Sequence, residues 1–256
     1  MINEIYEKLC AKKLEKNNTP IKTTQGFFTD EDQVRVFRGG FDLSFIIDKE
    51  SFLEVADEVI ERISLTQYDS MSYNYFKHVI DVVSNSVNSY YGLANVTGVG
   101  RESYYMLNGE FSPLDEDERV LHMRDLKGLG IAKCAEKTAV ANNVFMLLNE
   151  IGLFNFKSTY LEGLLELDGQ RSDGHAFIGL ERPDGAHIIF DITNPVNVEY
   201  LEQAYTHPAL YFLTQQEYED FINGQECLDN NKFLLKDNLP PLETRTYSGF
   251  SREREK

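Results

Sequence analysis

The chain has few cysteines, a shortage of basic residues and no long apolar run. Its three cysteines, Cys10, Cys134 and Cys227, are widely spaced and odd in number. They make neither a disulfide framework nor the CxxC pairs of a structural metal site, and they suit a reducing compartment. Lys and Arg number 25 against 42 Asp and Glu, a formal net charge of −17 at pH 7. That balance repels a nucleic-acid backbone or an anionic membrane and leaves a protein, a peptide or a small molecule as partner. The opening residues, MINEIYEKLCAKKLEKNN, hold no apolar core of a secretory signal. No later run nears the roughly 18 apolar residues of a membrane span. The expectation is a cytoplasmic protein, with export that leaves no cleaved signal kept open. What the chain does have is 256 residues at 42% hydrophobic and 12% aromatic content, enough to fill a substantial core.

Taken in order, residues 1–17 read as a short charged helix and 17–26 as a polar loop. Gln33 to Ile47 is β-rich on both sides of Gly39-Gly40, the pattern of a two-residue hairpin. Ser51, with Glu54 three residues on, reads as the N-cap of a helix running to about Ile63. Phe76, Ile80, Val83 and Val87 mark a second helix over Tyr73 to Tyr91, ended by Gly92. Leu93 to Lys127 lacks a period and reads as a long loop with one short strand or helix, lying over the approach to Cys134. Within it, Gly98-Val-Gly100 looks like part of a dinucleotide fingerprint, but no apolar strand precedes it and no apolar helix follows. Asp115 to Glu118 lacks the glycine and distal glutamate of a calcium loop and reads as solvated. Asn95-Val-Thr97 matches a glycosylation acceptor that means nothing without a secretory route.

Chemistry concentrates from Lys127 onward. Val140, Val144, Leu147, Leu148 and Ile151 recur at helical spacing and Gly152 is a natural stop, which puts Cys134 in or near the first turn of a long helix. A helix N-terminus favours thiolate over thiol and offers N–H groups to an oxyanion. The period then changes to two: Thr159–Leu167, Gly174–Glu181 and Ala186–Asp191 read as strands. Arg182-Pro183-Asp184-Gly185 suits a type I turn closed by a bulge, pairing Arg182 with Ala186. Counting back puts His175 opposite Thr193 and makes Asp191 its diagonal neighbour on one face. A helix capped by Thr214 and Glu217 follows, and beyond Gly224 the chain turns polar, with SREREK frayed.

Cys134, His175 and Asp191 thus form a candidate catalytic triad: a thiol nucleophile, an imidazole base and a carboxylate that fixes the imidazole's tautomer. The geometry expected is a sulfur within about 4 Å of one His175 nitrogen and an Asp191 oxygen about 3 Å from the other. Of the remaining histidines, His78, His122 and His207 read as structural or exposed. His187 is the rival base, sharing a strand face with Asp191. Cys10 and Cys227 receive no role.

Gly130-x-x-x-Cys134-x-Glu136 with its apolar helix, Gly174-His175-Ala176-Phe177 and Phe190-Asp191-x-Thr193-x-Pro195 together resemble the transglutaminase-like superfamily of papain-type cysteine enzymes. The resemblance covers residues 120–196. It departs from the family at Phe177, where tryptophan is common; this chain has none. The resemblance implies an α+β fold with a papain-like or transglutaminase-like core: a nucleophile at a helix N-terminus, then an antiparallel sheet carrying His and Asp. The expected organisation is an N-terminal helix and hairpin extension (1–50), a catalytic domain (51–223) and a polar C-terminal extension (224–256). The implied activity is acyl chemistry through a thioester on Cys134, hydrolysing or transferring an amide of a protein, peptide or small molecule. No metal or organic cofactor is required. The alternatives are a catalytically silent peptide-binding module of the same fold and an arylamine N-acetyltransferase-like acyltransferase.

Overall fold

A computed structural model of the chain describes residues 2–36, 42–66, 72–94, 98–112, 118–171, 174–234, 239 and 241–250. In chain order its elements are α1 (Ile2–Cys10), β1 (Glu15–Asn17), β2 (Lys22–Gln25), β3 (Val34–Arg35), β4 (Leu43–Ile46), α2 (Lys49–Ser64), α3 (Tyr73–Tyr91) and α4 (Gly98–Asn108). Then follow β5 (Glu110–Phe111), β6 (Arg119–His122), α5 (Cys134–Glu150), β7 (Lys157–Leu167), β8 (Gln170–Arg171), β9 (His175–Glu181), β10 (His187–Tyr200), β11 (Gln203–Leu213), α6 (Gln215–Ile222), β12 (Leu228–Asp229) and β13 (Arg245–Ser248). This is an α+β chain with a large antiparallel sheet. Among the described residues no helix is long and apolar enough to cross a membrane. The chain divides into two compact units: Met1–Lys13 with Phe27–Phe154, and Leu14–Gly26 with Asn155–Lys256.

The first unit surrounds α5 with α1, α2 and α3. The helix is buried on all sides rather than along one stripe, because Ala135, Ala139 and Ala141 fill the positions between its larger apolar residues. Asn143 within it is hydrogen-bonded at both ends of its amide: it accepts from the Phe28 N–H at 2.9 Å and donates to the Phe28 carbonyl at 2.7 Å. The unit also holds a four-stranded sheet in the order β3-β4-β6-β5, with β4 and β6 parallel. β3 and β4 pair antiparallel as expected; the Gly39-Gly40 turn between them lies outside the described residues.

Two expectations are corrected in this unit. Asp48, not Ser51, caps α2: its carboxylate accepts the Ser51 N–H and hydroxyl, each at 3.0 Å, and the Arg124 N–H at 2.8 Å. An anion at the helix's positive end reaching three donors outcompetes a neutral hydroxyl. The segment 93–127 is no long loop, since α4, β5, β6 and a 3₁₀ turn at Met123–Leu126 take up most of its described residues. The buried side of α4 presents Arg101 and Tyr105, so there was no apolar stripe to read. The glycosylation acceptor and residues 115–117 lie outside the described residues, and Glu118, read as solvated, is buried.

The second unit is built on a nine-stranded sheet, in the order β1-β2-β7-β9-β10-β11 with β8, β12 and β13 attached through β7 and β13. One face carries a core of Leu161, Phe177, Ile189, Tyr211, Phe221 and Tyr247. The other face is buried too, through Tyr160, Ile178, Leu180, Ile188 and Phe190, which explains why β9 reads as a near-continuous apolar run. Residues 15–25 form the β1–β2 hairpin instead of a loop. β10 runs on past Asp191 to Tyr200 and returns as β11 through Leu201 and Glu202, both at positive φ (49° and 63°) as a type I′ turn requires. The segment after Gly224 supplies β12 and β13, and Tyr247 there is fully buried; SREREK lies outside the described residues.

Candidate active site

In the first unit, Cys134 is the first residue of α5 and half-buried. Its approach is fixed by backbone contacts with the end of α3: the Gly128 N–H donates to the Tyr90 carbonyl at 2.8 Å and the Gly130 N–H to that of Tyr91 at 2.9 Å. Gly92 makes this possible. It sits at φ +78°, and a Cβ there would stand 3.0 Å from the Gly130 nitrogen, so any other residue would push the approach away.

Glu136 then closes the turn. One carboxylate oxygen accepts the Lys133 N–H at 3.1 Å, which satisfies a donor at the helix start. The other accepts Arg101 Nε at 2.9 Å, Arg101 Nη2 at 2.5 Å and the Tyr105 hydroxyl at 2.8 Å. Glu136 is 0% and Arg101 3% exposed. Burial works against the carboxylate's charge, but Arg101 more than offsets it and leaves its pKa below the usual glutamate value. Lys137 is also buried, with Nζ 2.9 Å from Asn88 Oδ1 and 2.7 Å from the Gly92 carbonyl at the negative end of α3. Burial lowers its pKa to about 8.

In the second unit, the turn chemistry acts as the sequence suggested. The Arg182 N–H donates to the Ala186 carbonyl at 2.8 Å and that of Gly185 to the Arg182 carbonyl at 3.0 Å. The β9–β10 ladder runs from His187 opposite Glu181 to Phe190 opposite Ile178, the register expected from that turn. His175 and Asp191 therefore share a face, and Nε2 of His175 lies 2.7 Å from Asp191 Oδ2. Both are buried, at 4% and 1% exposure.

Asp191 collects hydrogen bonds from every side. Its Oδ1 accepts the Thr193 N–H and hydroxyl, both at 3.0 Å, and the Asn194 N–H at 3.1 Å. Beside His175, Oδ2 accepts Asn194 Nδ2 at 3.2 Å and the Tyr247 hydroxyl at 3.1 Å. Burial alone would raise this carboxyl, but the charge and hydrogen bond of His175, with the Thr193 and Asn194 donors, hold it at about 2. It is therefore ionised at any working pH. The chain makes room for these donors by a bulge: pairing with β11 shifts between Asp191 and Val196. Arg245 clamps the bulge, donating to the carbonyls of Asn194 and of Pro195, the latter at 2.6 Å.

Of the three residues singled out from sequence, the structure pairs His175 with Asp191 and puts Cys134 at the head of α5 in the other unit. The rival His187 is otherwise engaged. It stacks on Tyr218 with ring centroids 3.7 Å apart, its Nε2 lies 2.8 Å from Gln215 Oε1, and burial lowers its pKa. His78 lies in α3, His122 ends β6 and His207 lies in β11. Phe177 is a core residue packed edge-on to Tyr247 at 5.4 Å. The residues that sequence reasoning missed are Arg101, Tyr105, Asn194, Arg245 and Tyr247. Only Asn194 carried a local signal, being an Asn-Pro dipeptide three residues beyond an aspartate. Among the described residues no group of three or more His, Cys, Asp or Glu is arranged to hold a metal ion. Comparison of the chain with protein-family models, with curated proteins and with solved structures finds no match.

Proposed function

We propose that this chain is a cysteine-dependent enzyme of amide bonds, with Cys134 as nucleophile, His175 as base and Asp191 as the group that orients the base. The observation that carries the reading is the buried His175–Asp191 pair at 2.7 Å, whose carboxylate accepts five further hydrogen bonds. A neutral structural histidine needs one acceptor; a carboxylate held ionised this firmly fixes which nitrogen keeps its proton and stabilises an imidazolium. The position of Cys134 as the first residue of α5 adds the second support. In this reading the fold is a papain-like or transglutaminase-like core, and the protein works in a reducing, cytoplasmic setting that suits a chain with three cysteines.

The chemistry follows from those roles. Nε2 is committed to Asp191, so Nδ1 of His175 takes the thiol proton. The sulfur attacks the amide carbonyl carbon, and the Cys134 N–H at the helix start favours the developing oxyanion. The C–N bond breaks, the imidazolium returns its proton to the leaving amine, and an acyl thioester remains on Cys134. Water or a second amine then attacks it, giving hydrolysis or transfer and restoring the thiol.

Iodoacetamide labelling resolved by peptide mass spectrometry tests the reading. Cys134 should alkylate well below pH 8 and faster than Cys10, whose thiol burial pushes up, or the exposed Cys227. His175→Ala should abolish that advantage. Ordinary thiol pH dependence at Cys134 would instead favour a silent peptide-binding module. Intact-mass analysis of the trapped acyl-enzyme then identifies the donor, and an acetyl adduct after incubation with acetyl-coenzyme A would move the assignment to an acetyltransferase.

A further inference from the structure

The first turn of α5 buries more charge than packing requires. Taking two charges out of water costs several kcal/mol per ion, and apolar side chains of similar size often hold two helices together as well or better. Yet Arg101 reaches from α4 to Glu136 with two nitrogens, and Tyr105 from the same helix adds a third hydrogen bond to the same oxygen. Lys137 is buried in the same turn. The charged and titratable groups that α4 and α5 bring to this turn are therefore Arg101, Tyr105, Lys133, Glu136 and Lys137. Burial and Glu136 keep Tyr105 protonated. Among the described residues of these two helices the buried ions are then two cations, Arg101 and Lys137, and one carboxylate, Glu136, one negative charge short of balance. Cys134 stands two residues before Glu136 and three before Lys137, on the turn where a thiolate would supply it.

We propose that Arg101 is a positioning residue for Cys134: through Glu136 it fixes the turn that presents the sulfur, and its buried charge favours the thiolate. This rests on the reading of Cys134 as the nucleophile. The electrostatic arm acts on Arg101 as well. Burial works against its charge, but Glu136, Tyr105 and Cys134 together bind its proton more tightly than in a free guanidinium, and a charge interaction acts equally on both partners. The guanidinium sets two donors on one oxygen of Glu136; a lysine ammonium there would give up that geometry but keep the charge.

The test is the pH midpoint of iodoacetamide alkylation at Cys134 in the full chain. Arg101→Gln should raise it by about one unit, so that reactivity below the midpoint falls about tenfold. Glu136→Gln should lower it, because Arg101 then faces the sulfur without its compensating carboxylate. Arg101→Lys should stay near the native midpoint. A pair that served only packing would shift both glutamine variants the same way or not at all, and would leave Arg101→Lys as impaired as Arg101→Gln; either pattern overturns the proposal. Should Arg101→Gln lose its cooperative melt, the direction of the Glu136→Gln shift decides. An ordinary midpoint in the native chain would instead sink the nucleophile reading, whereas a low native midpoint that neither glutamine variant moves sinks only the role of Arg101.

Discussion

The Tyr247 hydroxyl donates at 3.1 Å to the same Asp191 oxygen that lies 2.7 Å from His175 Nε2. One carboxylate oxygen thus joins the β9–β10 hairpin to β13, and the carboxylate's second oxygen is left to the bulge, to two of its N–H groups and the Thr193 hydroxyl. Burial and the Asp191 charge hold the tyrosine's own pKa well above the usual range, so the phenol remains a donor. Tyr247→Phe keeps the ring contacts with Phe177 and Tyr211 at 5.4 and 5.1 Å and removes the hydroxyl that donates to Asp191. It should cost about 1 kcal/mol of stability and lower turnover far less than Asp191→Asn. The latter should lose on the order of 10³–10⁴-fold in kcat by spoiling the imidazole tautomer. Parallel kinetics and melting of the two variants check the order.

Loss of the nucleophile or of the base, Cys134→Ala or His175→Ala, should abolish turnover while the fold persists. His187→Ala should retain turnover and lose about 1 kcal/mol of stability with its stacking on Tyr218 and its Gln215 bond. A His187→Ala enzyme as dead as His175→Ala, with His175→Ala still active, would reverse the assignment.

Glu162 sets a pH dependence in the second unit. Burial raises its pKa from 4.5 to about 7 against the pull of Lys22 and Lys16. Between those values the folded chain binds more protons than the unfolded chain, so this group's contribution to stability falls as pH rises from 4.5 through 7. Glu162→Gln removes the loss. The variant should gain on the native protein by on the order of 1 kcal/mol at pH 8 and by little at pH 4, as chemical denaturation at the two pH values would show. An equal difference at both would refute it.

Lys137 works in the opposite sense. Its folded pKa of about 8 lies below the ordinary 10.5, so from about 8 to 10.5 the unfolded chain binds more protons and the contribution to stability rises with pH. The stability of the native chain relative to Lys137→Met should therefore increase between pH 7.5 and 9.5. A flat difference would mean that burial does not shift this lysine.

Gly163 stands opposite His175 in the β7–β9 register. A Cβ there would lie 2.6 Å from the Ser248 carbonyl oxygen and 2.8 Å from Ile21 Cδ1. Gly163→Ala must displace β13, and Tyr247 with it. The expected cost is about 1–3 kcal/mol, with a loss of activity exceeding that of Tyr247→Phe. A variant as active and stable as the native chain would show that β13 yields freely.

What could be read beforehand was local. Cys134, the helical period after it and Gly152 specify α5 within a few turns, and Pro183-Asp184-Gly185 sets the register that brings His175 to Asp191. What escaped depends on partners far along the chain. The bulge after Asp191 is clamped by Arg245, some fifty residues away. The Leu201-Glu202 turn takes positive φ in residues that usually avoid it. β1 and β2 are short and polar, and their place is set by pairing with β7. The importance of α4 lies in Arg101, a single charged residue with no periodicity to announce it.

β7 joins distant parts of the chain along one seam. On the edge away from β9 it pairs first with β2, through Tyr160 to Glu162, and then with β13, through Leu164 to Leu167. A nascent chain that has released β7 but not yet residue 248 leaves the second half of that edge with unpaired amides and carbonyls, a template for stray strands. At the same stage the bulge has no Arg245 and Asp191 no Tyr247. The order of synthesis thus becomes a safety interlock: His175 and Asp191 gain their last two supports only when β13 closes the seam.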